Sequence, residues 1–279
     1  MKQWFITCLL LFGSLSFTKG QINYCKQDKE IFAEYLEQFQ PKYNLSLNEI
    51  VIETAKFFQG TPYVASTLEK EPEQLIINFR EFDCMTFVET TLALAKMIKS
   101  NTPKFESYGQ ILQSIRYHNK KIKNYTSRKH YTTDWINENE NEGLVKNVTR
   151  QLDGIPLPVE VSFMSTHPDK YKQLAKNPSL VPFIQEKEKE INQRSYYYIP
   201  KKEIYKVINK IQDGDIICFT TTIKELDISH VGYAYWEKDQ LTFIHASTSA
   251  HKVIINPKSL IDYISEIKHN NGIIVVRPL

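Results

Sequence analysis

The apolar pattern changes its period along the chain, and that change restricts the fold more than any other feature. Up to about residue 116, apolar residues recur at i, i+3, i+4 and i+7, the spacing of one helix face. Residues 28–39 carry Phe32, Tyr35, Leu36 and Phe39 in this way. Ser46 is placed to cap a helix through Phe58, with Leu47, Ile50, Val51, Thr54 and Phe58 on one side. Asp83 is placed to cap residues 84–99, with Val88, Leu92, Ala95 and Ile98 as the inner stripe. Phe105, Tyr108, Ile111, Leu112 and Ile115 mark another helix. Beyond residue 214 the apolar runs are short, β-branched or aromatic, and separated by turn residues. Strands are expected over 215–220, 230–236, 241–246, 253–255 and 273–277. Helices first and strands later predict an α+β fold.

Between these regions the chain is polar. Residues 116–150 carry Arg116, Lys120, Lys121, Lys123, Arg128 and Lys129, then an acidic stretch from Asn137 to Glu142. Tyr117, Tyr125, Tyr131 and Trp135 punctuate it, so an ordered surface lobe is expected. Residues 155–158 read as a Pro-rich connector. Residues 201–211 read as a helix, stopped by Asp213-Gly214.

Of 279 residues, 42% are hydrophobic and 24% charged, which is globular composition. The first twenty residues stand apart. Lys2 precedes a nearly uncharged apolar run from Trp4 to Phe17, followed by Thr18-Lys19-Gly20, the pattern of a secretory signal peptide cut near Gly20. The run is shorter than the roughly 20 residues a membrane span needs. No stable membrane insertion is expected after cleavage. Without Lys2 and Lys19, 33 basic residues face 32 acidic ones, leaving +1, so no nucleic-acid partner is expected. Cys25, Cys84 and Cys218 remain. Three cysteines leave at least one unpaired within the chain, with a Cys25–Cys218 bridge open as one arrangement.

Cys84 follows the expected N-cap Asp83, so it lies in the first turn of a helix. The partial positive charge there favours the thiolate, the nucleophilic form. A base is then required. If the strands 230–236 and 241–246 form a regular hairpin with Trp236 opposite Leu241, His230 and His245 share one sheet face as diagonal neighbours. One imidazole can take the thiol proton while the second fixes its tautomer. Two histidines without a nearby third ligand are too few for zinc, so no metal and no cofactor are expected.

The ordered set Gly60-Thr61-Pro62-Tyr63, Phe82-Asp83-Cys84, Gly214-Asp215-Ile216-Ile217, Ser229-His230-Val231-Gly232 and His245-Ala246-Ser247-Thr248-Ser249 resembles the NlpC-type papain-like hydrolases of bacterial cell wall. Residues 127–135 (SRKHYTTDW) and 163–168 (FMSTHP) resemble the branch of N-acetylmuramoyl-L-alanine amidases. The resemblance implies a papain-like α+β domain over residues 21–279, with a family-specific lobe around 116–200. It implies Cys84 as nucleophile, His230 as general base, His245 as the orienting residue, and Tyr63 lining the site. Export to the periplasm or the bacterial exterior follows, with peptidoglycan or its muropeptide fragments as partner. The enzymatic alternative is a stem-peptide endopeptidase, and the non-enzymatic one a wall-binding module. Within the lobe, Arg128 is expected to pair with a peptide carboxylate. His130, Tyr131, Asp134 and Trp135 are expected to position sugar or peptide. The chain departs from common relatives at Val64-Ala65-Ser66-Thr67, where Gly-Gly is usual, and at Met85-Thr86, where Ser-Gly is usual. The separation of Tyr63 from Cys84 is also long, so the peptide side of the cleft is expected to be rebuilt.

Overall fold

The computed structural model describes residues 22–100 and 102–279; the leader expected over 1–20 lies outside them. The N-terminal half holds helices α1 (Lys26–Phe39), α2 (Leu47–Phe57), α3 (Cys84–Lys99) and α4 (Phe105–Arg116). A small parallel pair, β1 (Ile22–Asn23) and β2 (Leu75–Ile76), lies among them. The middle of the chain holds α5 (Thr132–Asn141), β3 (Val145–Asn147), β4 (Ile155–Leu157), α6 (Phe163–Thr166), α7 (Lys172–Lys176), α8 (Val181–Asn192) and β5 (Tyr196–Pro200). Short helix α9 (Ile204–Val207) leads into β6 (Ile216–Thr221), β7 (Ile228–Glu237), β8 (Gln240–Ser247) and β9 (Lys252–Ile255). Helix α10 (Leu260–Glu266) and β10 (Asn270–Pro278) close the chain.

The main sheet is antiparallel throughout, in the order β4-β5-β10-β6-β7-β8-β9, with β3 also paired to β10. The expected mixed α+β architecture is therefore present. Alternation along the strands sends Ile216, Cys218, Val231, Tyr233, Ile244 and Ala246 toward the helical half. Ile217, Phe219, Ala234 and Phe243 face a second, smaller core under α9 and α10.

Helix α3 is the centre of the first core. Twelve of its sixteen residues are buried, not only the expected stripe, because α2, α4 and the sheet surround it. Its start is fixed by a reciprocal cap. Thr86 N–H donates to Asp83 Oδ1 at 2.7 Å, and Asp83 N–H donates to Thr86 Oγ1 at 2.9 Å. Buried Glu89 on this helix accepts from Arg116 Nε at 2.6 Å, and Arg116 also donates to Ile76 O at 2.9 Å.

Three local expectations are corrected. Residues 201–211 form a 3₁₀ turn, the single turn α9 and a second 3₁₀ turn, not one helix. The i, i+3, i+4 pattern there seats Ile204, Val207 and Ile211 on the second core, which short turns do equally well. The connector at 155–158 is strand β4, paired with β5. Cys25 and Cys218 are free thiols: Cys25 is the N-cap of α1, whereas Cys218 is buried inside β6. Gly214, ending the turn before β6, has φ of +80°, and a Cβ there would meet Asn48 O at 3.0 Å.

Candidate active site

Cys84 opens α3 and is partly exposed. The amides of Val231, Met85 and Cys84 itself favour its thiolate, as a helix start should. Burial is the stronger influence, and with the Asp83 charge beside it pushes the thiol up to about 12. The expected bias of the helix end toward thiolate is thus present but outweighed.

The hairpin that carries the histidines has the expected register, with Trp236 opposite Leu241 and Tyr233 opposite Ile244. Lys238 and Asp239 form its loop, with Lys238 at a φ of 56°. His230 and His245 share a face, and His230 Nε2 lies 2.7 Å from His245 Nδ1 in a hydrogen bond. Gly232 makes this approach possible: a Cβ on it would stand 3.0 Å from His245 Cβ. Where β7 begins, its pairing with β6 shifts by one residue between Ile228 and His230. Both rings are held toward the neutral form. Burial lowers His230 to about 4; burial, then the neighbouring His230 charge, lowers His245 to about 3.

Two tyrosines complete the surroundings of the thiol. Tyr63 is held by its backbone between the segments of Phe82 and His251. Burial raises its phenol, the Thr248 hydroxyl bonds to it, and the charge of Cys84 is felt there. Tyr263, on α10, packs on His245 with ring centres 6.0 Å apart and on Phe243 at 4.8 Å. Its phenol is also raised, by burial and then by Cys84. Tyr263 therefore packs on the histidine face and feels the charge of the thiol. Sequence reasoning missed it because α10 is a single short helix with only Leu260 and Ile264 as its buried positions.

The structure joins His230 to His245, brings the Val231 amide and Tyr63 to Cys84, and turns the five lobe residues inward. Arg128 ion-pairs with Glu69 and Glu73, each at 3.0 Å. His130 Nε2 bonds Tyr125 O at 2.8 Å. Tyr131 donates to Glu188 at 2.7 Å, and Asp134 takes Arg194 at 2.7 Å and His118 at 3.0 Å. Trp135 is 1% exposed. The expected ligand contacts are thus occupied within the protein. The aromatics that signalled order build the first core, and the charges that signalled binding tie segments together.

A model of the AmiA-like family, described as N-acetylmuramoyl-L-alanine amidase-like, matches residues 53–273. A crystal structure of an N-acetylmuramoyl-L-alanine amidase from Bacteroides uniformis is 34% identical, with a TM-score of 0.80 over 83% of this chain and 98% of that one. A Bacteroides fragilis protein provisionally called a xylanase is 38% identical, with a TM-score of 0.78 over 81% of this chain and 99% of that one. A Legionella pneumophila protein at 24% identity shares the fold, with a TM-score of 0.69 over 90% of this chain and 95% of that one. No curated protein is significantly similar. With the family model spanning both the Cys84 and the His230–His245 segments, the chain belongs to the AmiA-like family of N-acetylmuramoyl-L-alanine amidase-like proteins.

Proposed function

We propose that this protein is an exported peptidoglycan amidase of papain-like arrangement. It cleaves the amide between the lactyl group of N-acetylmuramic acid and L-alanine of the stem peptide. The Bacteroides uniformis relative bears that amidase name, and the apolar run of residues 4–17 supports export. The observation that carries the reading is the His230–His245 hydrogen bond on the strand whose Val231 amide favours the Cys84 thiolate.

The bond uses Nε2 of His230, which leaves Nδ1 for proton transfer. For Nδ1 to accept, Nε2 must carry hydrogen and donate to His245 Nδ1. Cys84 Sγ then bonds to the amide carbonyl carbon as its proton passes to His230, and the Cys84 N–H holds the oxyanion. The C–N bond breaks as His230 protonates the departing L-alanine nitrogen. Water adds to the thioester, gives a proton to His230, and releases the lactyl carboxylic acid and the thiol. Burial favours the uncharged thiol and the uncharged imidazoles, so the proton moves as Cys84 attacks.

Mass spectrometry on defined muropeptides tests this. Release of an intact stem peptide with a free L-alanine amine is expected, and its loss in Cys84→Ala. A cut inside the peptide makes the protein an endopeptidase. Binding without any product makes it a wall-binding module.

A further inference from the structure

Helix α5 begins without a cap of its own. Tyr131, the residue before it, offers no side-chain hydrogen bond to the first turn, so the opening amides need partners from elsewhere. Asp227 supplies one from 94 positions along the chain. Its Oδ2 accepts from the Thr133 amide at 2.7 Å and from the Thr133 hydroxyl at 2.8 Å. Its Oδ1 accepts from the Ile228 amide at 2.7 Å. Burial raises the carboxyl of Asp227, but these groups are all donors and favour its ionised form. The two oxygens thus fasten different segments: one holds the lobe, the other the first residue of β7.

That residue stands two before His230, where β7 has lost one of its neighbours. Pairing of β7 with β8 runs from Glu237 only as far as Tyr233, so at His230 the strand is paired with β6 alone among the described residues. The ladder with β6 is irregular there. Ile228 faces Thr220 and His230 faces Phe219, which leaves Ser229 bulged out, its hydroxyl bonded to Phe219 O at 3.2 Å. A bulge disrupts the ladder and re-aims the side chains beside it. The Asp227 carboxylate limits that freedom by pinning the segment to Thr133, which is wholly buried in the lobe. The Asp227 carbonyl adds to the anchor, accepting from the Thr221 amide at 3.4 Å.

We propose that Asp227 is a positioning residue for His230: it locks the bulge at the head of β7 to α5, and so fixes the ring that bonds His245 at 2.7 Å. Resting on the amidase reading, the lobe then serves the reaction through this carboxylate, although its five expected ligand residues are turned inward. Proton transfer by a positioned ring is sensitive to shifts of about 1 Å.

Kinetics on muramoyl-peptide and nitrogen-15 NMR of the histidine rings, both on the full chain, test this with Asp227→Asn and Thr133→Val. The asparagine keeps the size of the side chain but cannot accept at both ends, because its amide nitrogen meets a donor with a donor. The valine removes the Thr133 hydroxyl and keeps the amide. In Asp227→Asn, kcat is expected to fall about tenfold to a hundredfold, the cost of such a displacement, with KM within about twofold. The ring nitrogens of His230 and His245 should shift in the same variant, as their hydrogen bond loosens. Thr133→Val should move kcat and these signals in the same direction by a smaller amount. A carboxylate that merely fastened the lobe would behave differently. Its loss would lower the melting temperature and move His118, which bonds Asp134 of α5 at 3.0 Å, while leaving the pair unmoved. Unmoved pair signals in the folded variant, or unmoved kcat in an active enzyme, overturn the proposal. If Asp227→Asn does not fold, Thr133→Val decides by the same readouts. If the native enzyme releases no stem peptide but the pair signals move, the amidase reading fails and the positioning role stands. Stem peptide released at native kcat by both variants gives the reverse.

Discussion

His230 and His245 are joined Nε2 to Nδ1 at 2.7 Å across two adjacent strands, which leaves His230 Nδ1 and His245 Nε2 outside that bond. His245 Nε2 is buried without a partner among the described residues, so the ring is held chiefly by His230 and by packing on Phe243 at 4.4 Å. Removing it frees the His230 ring to turn. His245→Ala is expected to lower kcat on muramoyl-peptide by roughly 10²–10⁴, the range for disabled general acid–base chemistry. His245→Asn, which can still accept from His230, should retain more. Steady-state kinetics on variants with native circular dichroism decide this.

Gly232 separates the two rings along β7. A methyl group there would meet Ile244 O at 2.9 Å, with His245 Cβ and Phe243 Cδ2 each at 3.0 Å. The first of these is backbone and cannot swing aside. Gly232→Ala is expected to cost about 1–3 kcal/mol, the range for overpacking. Activity should fall by more than the folded fraction does, because the displaced atoms belong to the hairpin that holds His245. Urea denaturation and kinetics on the same sample check both halves.

Acid should destabilise the fold through its histidines. Burial lowers His230 to about 4, and lowers His130 and His245 to about 3, from an ordinary value of 6.5. Below that ordinary value the unfolded chain binds protons that the folded chain refuses. Stability is therefore lost as pH falls from about 6.5 toward 4. The expected observation is a falling denaturation midpoint over that window, with a shallower fall in His130→Phe. A midpoint flat from pH 7 to 4.5 would contradict it.

Much of this was legible in the residues, and the remainder was not for physical reasons. The start of α3 at Cys84 was readable because Asp83 and Thr86 cap it reciprocally, a local signal. The pairing of Trp236 with Leu241 followed from supposing a regular hairpin with a short polar loop, and the structure has that register. The lobe misled, since Arg128 and Asp134 look in sequence like free surface charges. Their partners Glu69, Glu73 and Arg194 lie 55 or more positions away, and only the tertiary fold brings them together. Tyr263 had no local signal of its position beside His245.

The pair of Glu89 and Arg116 tests how the first core tolerates charge. Both side chains are 4% exposed, and Arg116 also serves the carbonyl of Ile76. Arg116→Met leaves Glu89 buried and uncompensated, which should cost about 3–5 kcal/mol. Adding Glu89→Leu should recover most of that loss. Guanidinium denaturation of the single and double variants measures the coupling.

Arg128 separates a ligand-binding role from a fastening one. Its guanidinium holds Glu69 at 3.0 Å and Glu73 at 3.0 Å, and Tyr117 donates to Glu73 at 2.6 Å. Both glutamates lie on the connection between Tyr63 and Cys84, so Arg128 pins that connection to the lobe. Arg128→Met leaves Glu73, 5% exposed in its side chain, without its charge partner. The expected loss is about 3–5 kcal/mol, as for other broken buried pairs. Adding Glu73→Gln removes the stranded charge and should restore part of the stability. A residue that only touched ligand would behave differently: its loss would raise KM with the melting temperature unchanged, and Glu73→Gln would rescue nothing. Melting curves and KM for the single and double variants together decide between the two.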